Sequence, residues 1–178
     1  MNILELIKSS INNKRSAQKE LYDQFSPAAF AVIRRYIKDD FDAEDVLIET
    51  FMKVFDNLVT FKNEGSFSAW VNKIAVRESL MFLRRNKAFN MFIEADNINI
   101  REPMLSDDDI QLKDLLRILD ELPTGYRTVF NLYEIEGYKH HEIADIMGIS
   151  VNTSKSQLRL AKDRLRKLIN EKNKINTA

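Results

Sequence analysis

Two places in the chain gather side chains able to do chemistry or to hold a charged ligand. The first is His140-His141-Glu142 with Asp145, imidazoles and carboxylates of the kind that bind a divalent metal. The spacing is wrong for that task. Adjacent residues on a helix project about 100° apart, so the two imidazoles cannot meet one ion. His141 and Asp145 are correctly spaced, but two ligands are too few for a structural or catalytic site. No Gly-rich phosphate loop, nucleophile elbow or paired-acid cleft occurs elsewhere. No metal, no cofactor and no catalytic residue is expected. The second place begins at Val151, where Lys155, Arg159 and Lys162 recur four and three apart and so lie along one helical face. With Asn152 and Ser156 beside them, these are the side-chain types that bond base edges and hold phosphates in a major groove.

The elements that must present this face are legible in HEIADIMGISVNTSKSQLRLAK, His141 to Lys162. A short apolar run through Ile143, Ala144, Ile146 and Met147 predicts a small helix. Gly148 stands where a helix end needs a left-handed residue, and Ser150 is placed to cap the next helix. On that second helix Leu158, Ala161, Leu165 and Leu168 form the inward seam, which turns Asn152, Lys155, Ser156 and Arg159 outward. Lys162 and Arg166 extend that face. Two helices joined by so short a turn cross steeply, as in a helix-turn-helix unit. A solvated basic helix on an ordinary bundle would need none of these turn residues.

The remaining composition frames this unit. The chain has 178 residues, 44% hydrophobic and 30% charged, with 27 basic and 27 acidic side chains. A neutral sum excludes a uniformly basic coat but not segregated charge. From Lys38 to Asp56 the acids are Asp39, Asp40, Asp42, Glu44, Asp45, Glu49 and Asp56, against Lys38 and Lys53. From Val151 on, bases dominate. The absence of cysteine excludes disulfides and thiolate metal sites and fits a reducing cytosol. The apolar start MNILELIKSS is too short and interrupted for a signal peptide, and no run approaches a spanning helix. A cytoplasmic protein without membrane insertion is expected.

With 4 Gly, 3 Pro and helical periodicity throughout, the chain reads as all-α. Ser26-Pro27 predicts the end of one helix and the start of another, and Asp42-Ala43-Glu44-Asp45 predicts a capped helix start. The helix that follows has Leu47, Phe51, Val54, Phe55 and Leu58 inward and an acidic outer face. After the loop Thr60 to Ser66, another helix carries Phe67, Trp70, Val71, Ile74, Ala75 and Leu83 as core, with Lys73, Arg77 and Arg84 along one side. Periodicity fails over 90–108, the expected linker between a domain at 1–89 and another at 109–178. The second domain opens with Ile110, Leu112, Leu115, Leu116 and Leu119, restarts at Leu122-Pro123, and breaks again at Gly137.

The segments DAEDVLIETFMKVFDNL (Asp42 to Leu58) and TFKNEGSFSAWVNKIAVRESLMFLRRNKA (Thr60 to Ala88) resemble region two of bacterial RNA polymerase sigma factors. Leu116 to Ile169 resembles region four. Two independent motifs in this order, with only a short linker between, resemble the extracytoplasmic-function group of the sigma-70 family. The resemblance implies a region-two bundle and a region-four helix-turn-helix on a flexible linker. It implies that Glu44, Asp45, Glu49 and Lys53 meet the clamp helices of the largest subunit of core RNA polymerase, with the flap of the second-largest subunit a further contact. Phe61, Lys62, Asn63 and Glu64 match the family's pocket for a flipped base of the minus-ten element, and Lys73, Arg77, Arg84 and Arg85 would follow its phosphates. Asn152, Thr153, Lys155, Ser156, Arg159 and Lys162 would contact the minus-thirty-five element. Arg77 stands where the family often has a small polar residue, Ser154 where Val is common, and Lys139 where a capping Ser or Thr is frequent. An anti-sigma factor is a possible additional partner.

Two other classes compete. A stand-alone helix-turn-helix regulator would use the C-terminal unit alone, and would not need an acidic helix, an aromatic loop and a basic helix together in its first half. A protein-only adaptor would leave Lys155 and Arg159 without a purpose.

Overall fold

The computed structural model describes residues 2–86 and 112–176, with side chains described for all but 112–115 and 171–176. Every regular element among the described residues is helical. The chain divides into two compact units, Met1–Leu83 and Arg84–Ala178, and the boundary falls within a helix. The stretch 90–108, expected as a linker, lies outside the described residues, as does Ile110.

In the first unit α1 spans Ile3–Ile11, α2 Arg15–Arg34, α3 Asp40–Asn57 and α4 Phe67–Arg85. α2 packs between α1 and α3. Its buried face is Ala17, Leu21, Ala29, Val32 and Ile33, which runs straight past Pro27. The helix break expected at Ser26-Pro27 is therefore absent. Proline leaves the carbonyl four residues back without its bond, but Pro27 and Asp23 are both exposed, so water can satisfy that carbonyl. Burial of one continuous apolar face outweighs the lost bond.

The start of α3 also differs from expectation. The cap is Asp39, whose carboxylate accepts the backbone N–H of Phe41 at 2.9 Å and of Asp42 at 3.1 Å. This places Asp42 inside the first turn instead of before it. The inward stripe is as the periodicity predicts: Leu47, Phe51, Val54 and Leu58 are buried and Phe55 partly so. Each fully buried aliphatic or aromatic side chain contributes about 1.5–3 kcal/mol. Tyr22 of α2 meets Phe51 edge to face at 4.7 Å, and Phe25 meets Phe67 of α4 at 4.9 Å.

In the second unit α5 spans Leu112–Asp120, α6 Thr124–Phe130, α7 His140–Met147 and α8 Val151–Asn176. α6 continues into a wider π-helical turn, Asn131–Ile135, which stops before Gly137 at a left-handed φ of 77°. Ile118, Leu119, Leu122, Ala161 and Leu165 form an apolar cluster that seats α8 on α5 and α6, with Tyr126, Phe130, Leu168 and Ile169 packed around it. Beside it the buried Arg127 donates to Asp120 at 3.0 Å.

Candidate nucleic-acid interface

α7 ends on Gly148, at φ 68° and ψ 34°. The Ser150 hydroxyl then accepts the Thr153 N–H at 2.9 Å and caps α8. Lys139 cannot accept a capping bond, and only the return half of the motif forms: Glu142 accepts the Lys139 N–H at 2.7 Å. The buried residues of α7 are Ile143, Ala144 and Met147. The glycine and the cap thus do what their spacing predicted.

On α8 the outward face holds Asn152 and Lys155 exposed, with Thr153, Ser156, Arg159 and Lys162 partly buried. Several of these side chains already have local bonds. The Thr153 hydroxyl lies 2.8 Å from that of Ser150, and the Ser156 hydroxyl donates to the Thr153 carbonyl at 3.0 Å. Lys162 pairs with Glu134 at 2.7 Å. Arg166, expected to extend the basic face, instead pairs with Asp163 at 2.8 Å, both side chains largely covered.

Spacing did not reveal the role of His140. Its Nδ1 lies 2.9 Å from the hydroxyl of Ser154, which is fully buried in α8, and its ring stacks on Tyr133 at 4.4 Å. Burial, and then the charges of Lys155 and Lys162, hold its pKa below the ordinary 6.5. Among the described residues no group of three or more His, Cys, Asp or Glu is placed to hold a metal ion.

In the first unit a cavity of about 280 Å³ opens beside the loop before α4. Phe61, Lys62, Glu64 and Lys73 line it, as does Trp70. Asn63, exposed at a left-handed φ of 56°, does not, and Arg77 lies exposed farther along α4. Arg84 and Arg85 are exposed in the last turn of α4, within the second compact unit. Ser66 caps α4 by accepting the Ala69 N–H at 3.1 Å, which fixes the loop's exit. Phe61 packs edge to face on Phe67 at 5.3 Å and tilts toward Trp70 at 5.5 Å. Phe67 is core, as expected, whereas Trp70 is only partly buried and walls the cavity.

The outer face of α3 is not simply acidic. Phe41, Ile48 and Met52 are 80%, 55% and 61% exposed and lie seven and four apart, in one line along the helix. Asp45 falls within that line and Glu44 flanks it, both exposed; Glu49 stands partly covered, and Lys53 is exposed to one side. The sequence carries the signal in the interval of the three apolar residues, set among the acids that dominate this segment.

Comparison with known proteins gives this arrangement a family. The model for Sigma-70 region 2 matches residues 21–89, and that for Sigma-70, region 4 matches 112–165. The RNA polymerase sigma factor SigV of Bacillus subtilis is 33% identical over 123 residues, covering 69% of this chain and 73% of that protein. The chain belongs to the sigma-70 family, in its extracytoplasmic-function group. The ECF RNA polymerase sigma-E factor of Haemophilus influenzae is 25% identical over 89% of this chain and 90% of its own length. A solved structure of the sigma factor RpoE from Bartonella quintana, in complex with the anti-sigma factor NepR, has the same fold. It has a TM-score of 0.50 and 22% identity, covering 85% of this chain and 96% of that one.

Within this sigma factor, the region-two match takes in the exposed stripe of α3, the aromatic cavity and α4. The region-four match takes in α5 through the first part of α8, including the turn at Gly148. Sigma factors are not enzymes, and the residues gathered here are of binding types. No helix among the described residues is long and apolar enough to cross a membrane.

Proposed function

We propose that this sigma factor docks on core RNA polymerase through α3, opens the minus-ten element at the cavity beside α4, and reads the minus-thirty-five element with α8. The clamp helices of the largest subunit meet the line Phe41, Ile48 and Met52, with Glu44, Asp45, Glu49 and Lys53 forming a charged rim. An apolar centre within a polar rim is the usual anatomy of a protein interface, and the rim gives orientation and speed of encounter. On this reading the first domain is 1–89 and the second 109–178, with 90–108 joining them, and an anti-sigma protein that covers either surface would silence the factor.

The observation that best supports this reading is the cavity. Melting a promoter requires a place for an unstacked base, and stacking on an aromatic ring contributes about 1–3 kcal/mol per base. Phe61 and Trp70 supply rings, while Lys62 and Lys73 at the edge supply charge for the adjoining phosphates. A cavity near the lower limit of small-ligand sites suits one base. Arg84 and Arg85 would follow the strand beyond it.

Transcription from a promoter library by core polymerase and the purified chain tests the reading directly. Promoter-specific initiation is expected with the chain and not without it. Phe61→Ala should lower the stability of the open complex by about tenfold, the scale of one lost stack, as read from permanganate reactivity of the melted strand. A chain that binds duplex DNA but not core polymerase would instead be a stand-alone regulator.

A further inference from the structure

Two parts of α8 are seated by different forces. From Ala161 to Ile169 the helix belongs to the apolar cluster of the second unit. Before Leu158 the buried residues of α8 are Ser154 and Gln157, both polar, and Val151 is substantially exposed. The turn that carries Asn152, Thr153 and Lys155 thus has no buried aliphatic side chain of its own. An apolar contact tolerates rotation of a helix, whereas a hydrogen bond is directional and weakens steeply below about 120°.

Tyr133, His140 and Ser154 supply such a directional link. Tyr133 lies in the π-helical turn after α6, His140 opens α7, and Ser154 lies in the second turn of α8. The stack at 4.4 Å fixes the imidazole, and the 2.9 Å bond carries that position to Ser154. Ser154 stands in the chain between Thr153 and Lys155, both assigned above to DNA. We propose that His140 is a positioning residue for minus-thirty-five recognition, setting through Ser154 the rotation of α8 that presents Thr153 and Lys155. The inference rests on the reading of α8 as the minus-thirty-five helix.

The geometry makes the effect large. Side-chain tips lie roughly 5–6 Å from a helix axis, so a rotation of about 20° displaces them by about 2 Å. Base contacts depend on heavy-atom distances held within about 0.5 Å. Ser154 need not touch DNA for its loss to blur the reading. The groups facing the imidazole are Tyr133, Ser154, Lys155 and Lys162, with Glu134 bound to Lys162. Two of them are cations that the DNA itself would engage.

The test uses holoenzyme built from the full chain and core polymerase, on a promoter selected by the wild type from a randomised library. The quantity read is the ratio of open-complex formation on that promoter to formation on the same promoter with its minus-thirty-five element scrambled. His140→Ala should lower the ratio by about tenfold, the scale of one misplaced base contact. Ser154→Ala should do the same, and the double variant should be no worse than either. His140→Asn keeps a polar atom near the place of Nδ1 and should restore most of the ratio. Opening of a template that carries the minus-ten element alone should not change, and circular dichroism should show the fold retained. An undiminished ratio in His140→Ala overturns the proposal, as do additive losses or His140→Asn behaving like His140→Ala. A wild-type holoenzyme indifferent to the scrambled element, or Lys155→Ala without effect, removes instead the reading of α8 on which the proposal stands.

Discussion

Lys155 and Lys162 lie on the same face of α8, yet they would enter the proposed DNA complex from different starting points. Lys155 is exposed, while Lys162 is bound to Glu134 at 2.7 Å with both side chains one-third exposed. A phosphate must displace Glu134 to reach Lys162, at a cost of about 0–1 kcal/mol for a pair so placed. Both lysines also act on His140. Burial first, then their charges, disfavour its protonated form, so its folded pKa lies below 6.5. The unfolded chain then binds more protons than the folded one in the window beneath 6.5, and stability rises with pH there. This contribution is fully present above 6.5 and is lost as pH falls through the folded pKa. Thermal unfolding of the full chain should therefore show a midpoint that drops on acidification from 7 toward 5, with the part due to His140 missing in His140→Asn. A pH response identical in the two proteins would mean that the imidazole titrates as freely folded as unfolded. If the proposed DNA contact is made, phosphates that neutralise Lys155 and Lys162 would lift part of the penalty and link DNA binding to protonation of this ring.

Elements followed the sequence where a single local device decides them, and departed where several could compete. The turn between α7 and α8 was legible because Gly148 has few alternatives: φ is 68°, a left-handed conformation that costs a residue with a Cβ roughly 1–2 kcal/mol. Gly148→Ala meets no atom within 4 Å of the added carbon, so strain in the backbone is the whole effect. Urea unfolding should show a loss of about 1–2 kcal/mol in the second unit, together with weaker minus-thirty-five discrimination; unchanged stability would mean that the turn relaxes to another conformation. α2 runs through Ser26-Pro27 because an apolar face distributed over Leu21, Ala29, Val32 and Ile33 overrides one local break, and no pair of residues announces that sum. Asp39 is not distinguishable from Asp42 as the cap in the sequence alone, because Asp39, Asp40, Asp42 and Asp45 crowd the start of α3 and an aspartate at any of them could cap it. At the sites, exposed cations were legible from spacing, since charge marks them. The placements of Trp70, Ile48, Met52 and His140 were not, because an aromatic, an aliphatic or a neutral imidazole reads as core until its neighbours are known.

For the molecule as a whole, a net charge of zero conceals two surfaces of unlike chemistry. On α8 the proposed contact is electrostatic, and each phosphate neutralised releases counterions, giving a slope of about −0.9 per contact in log affinity against log salt. If Lys155, Arg159 and Lys162 each meet one phosphate, raising salt from about 50 to about 200 mM weakens that contact by roughly 40-fold. On α3 the proposed contact is centred on Phe41, Ile48 and Met52, and removing apolar surface from water depends little on such salt. The acids around it guide encounter and are screened by the same change. Two measurements separate these behaviours. Affinity of the chain for core polymerase should fall by only a few-fold over the range that weakens minus-thirty-five binding about 40-fold. Ile48→Asp should cost core affinity well over tenfold, since it both deletes a contact worth about 1.5–3 kcal/mol and buries a charge without a partner, while Glu44→Gln should cost much less. If core affinity instead tracks salt as steeply as DNA binding does, and Glu44→Gln matches Ile48→Asp, then the acidic rim holds the polymerase and the apolar line does not.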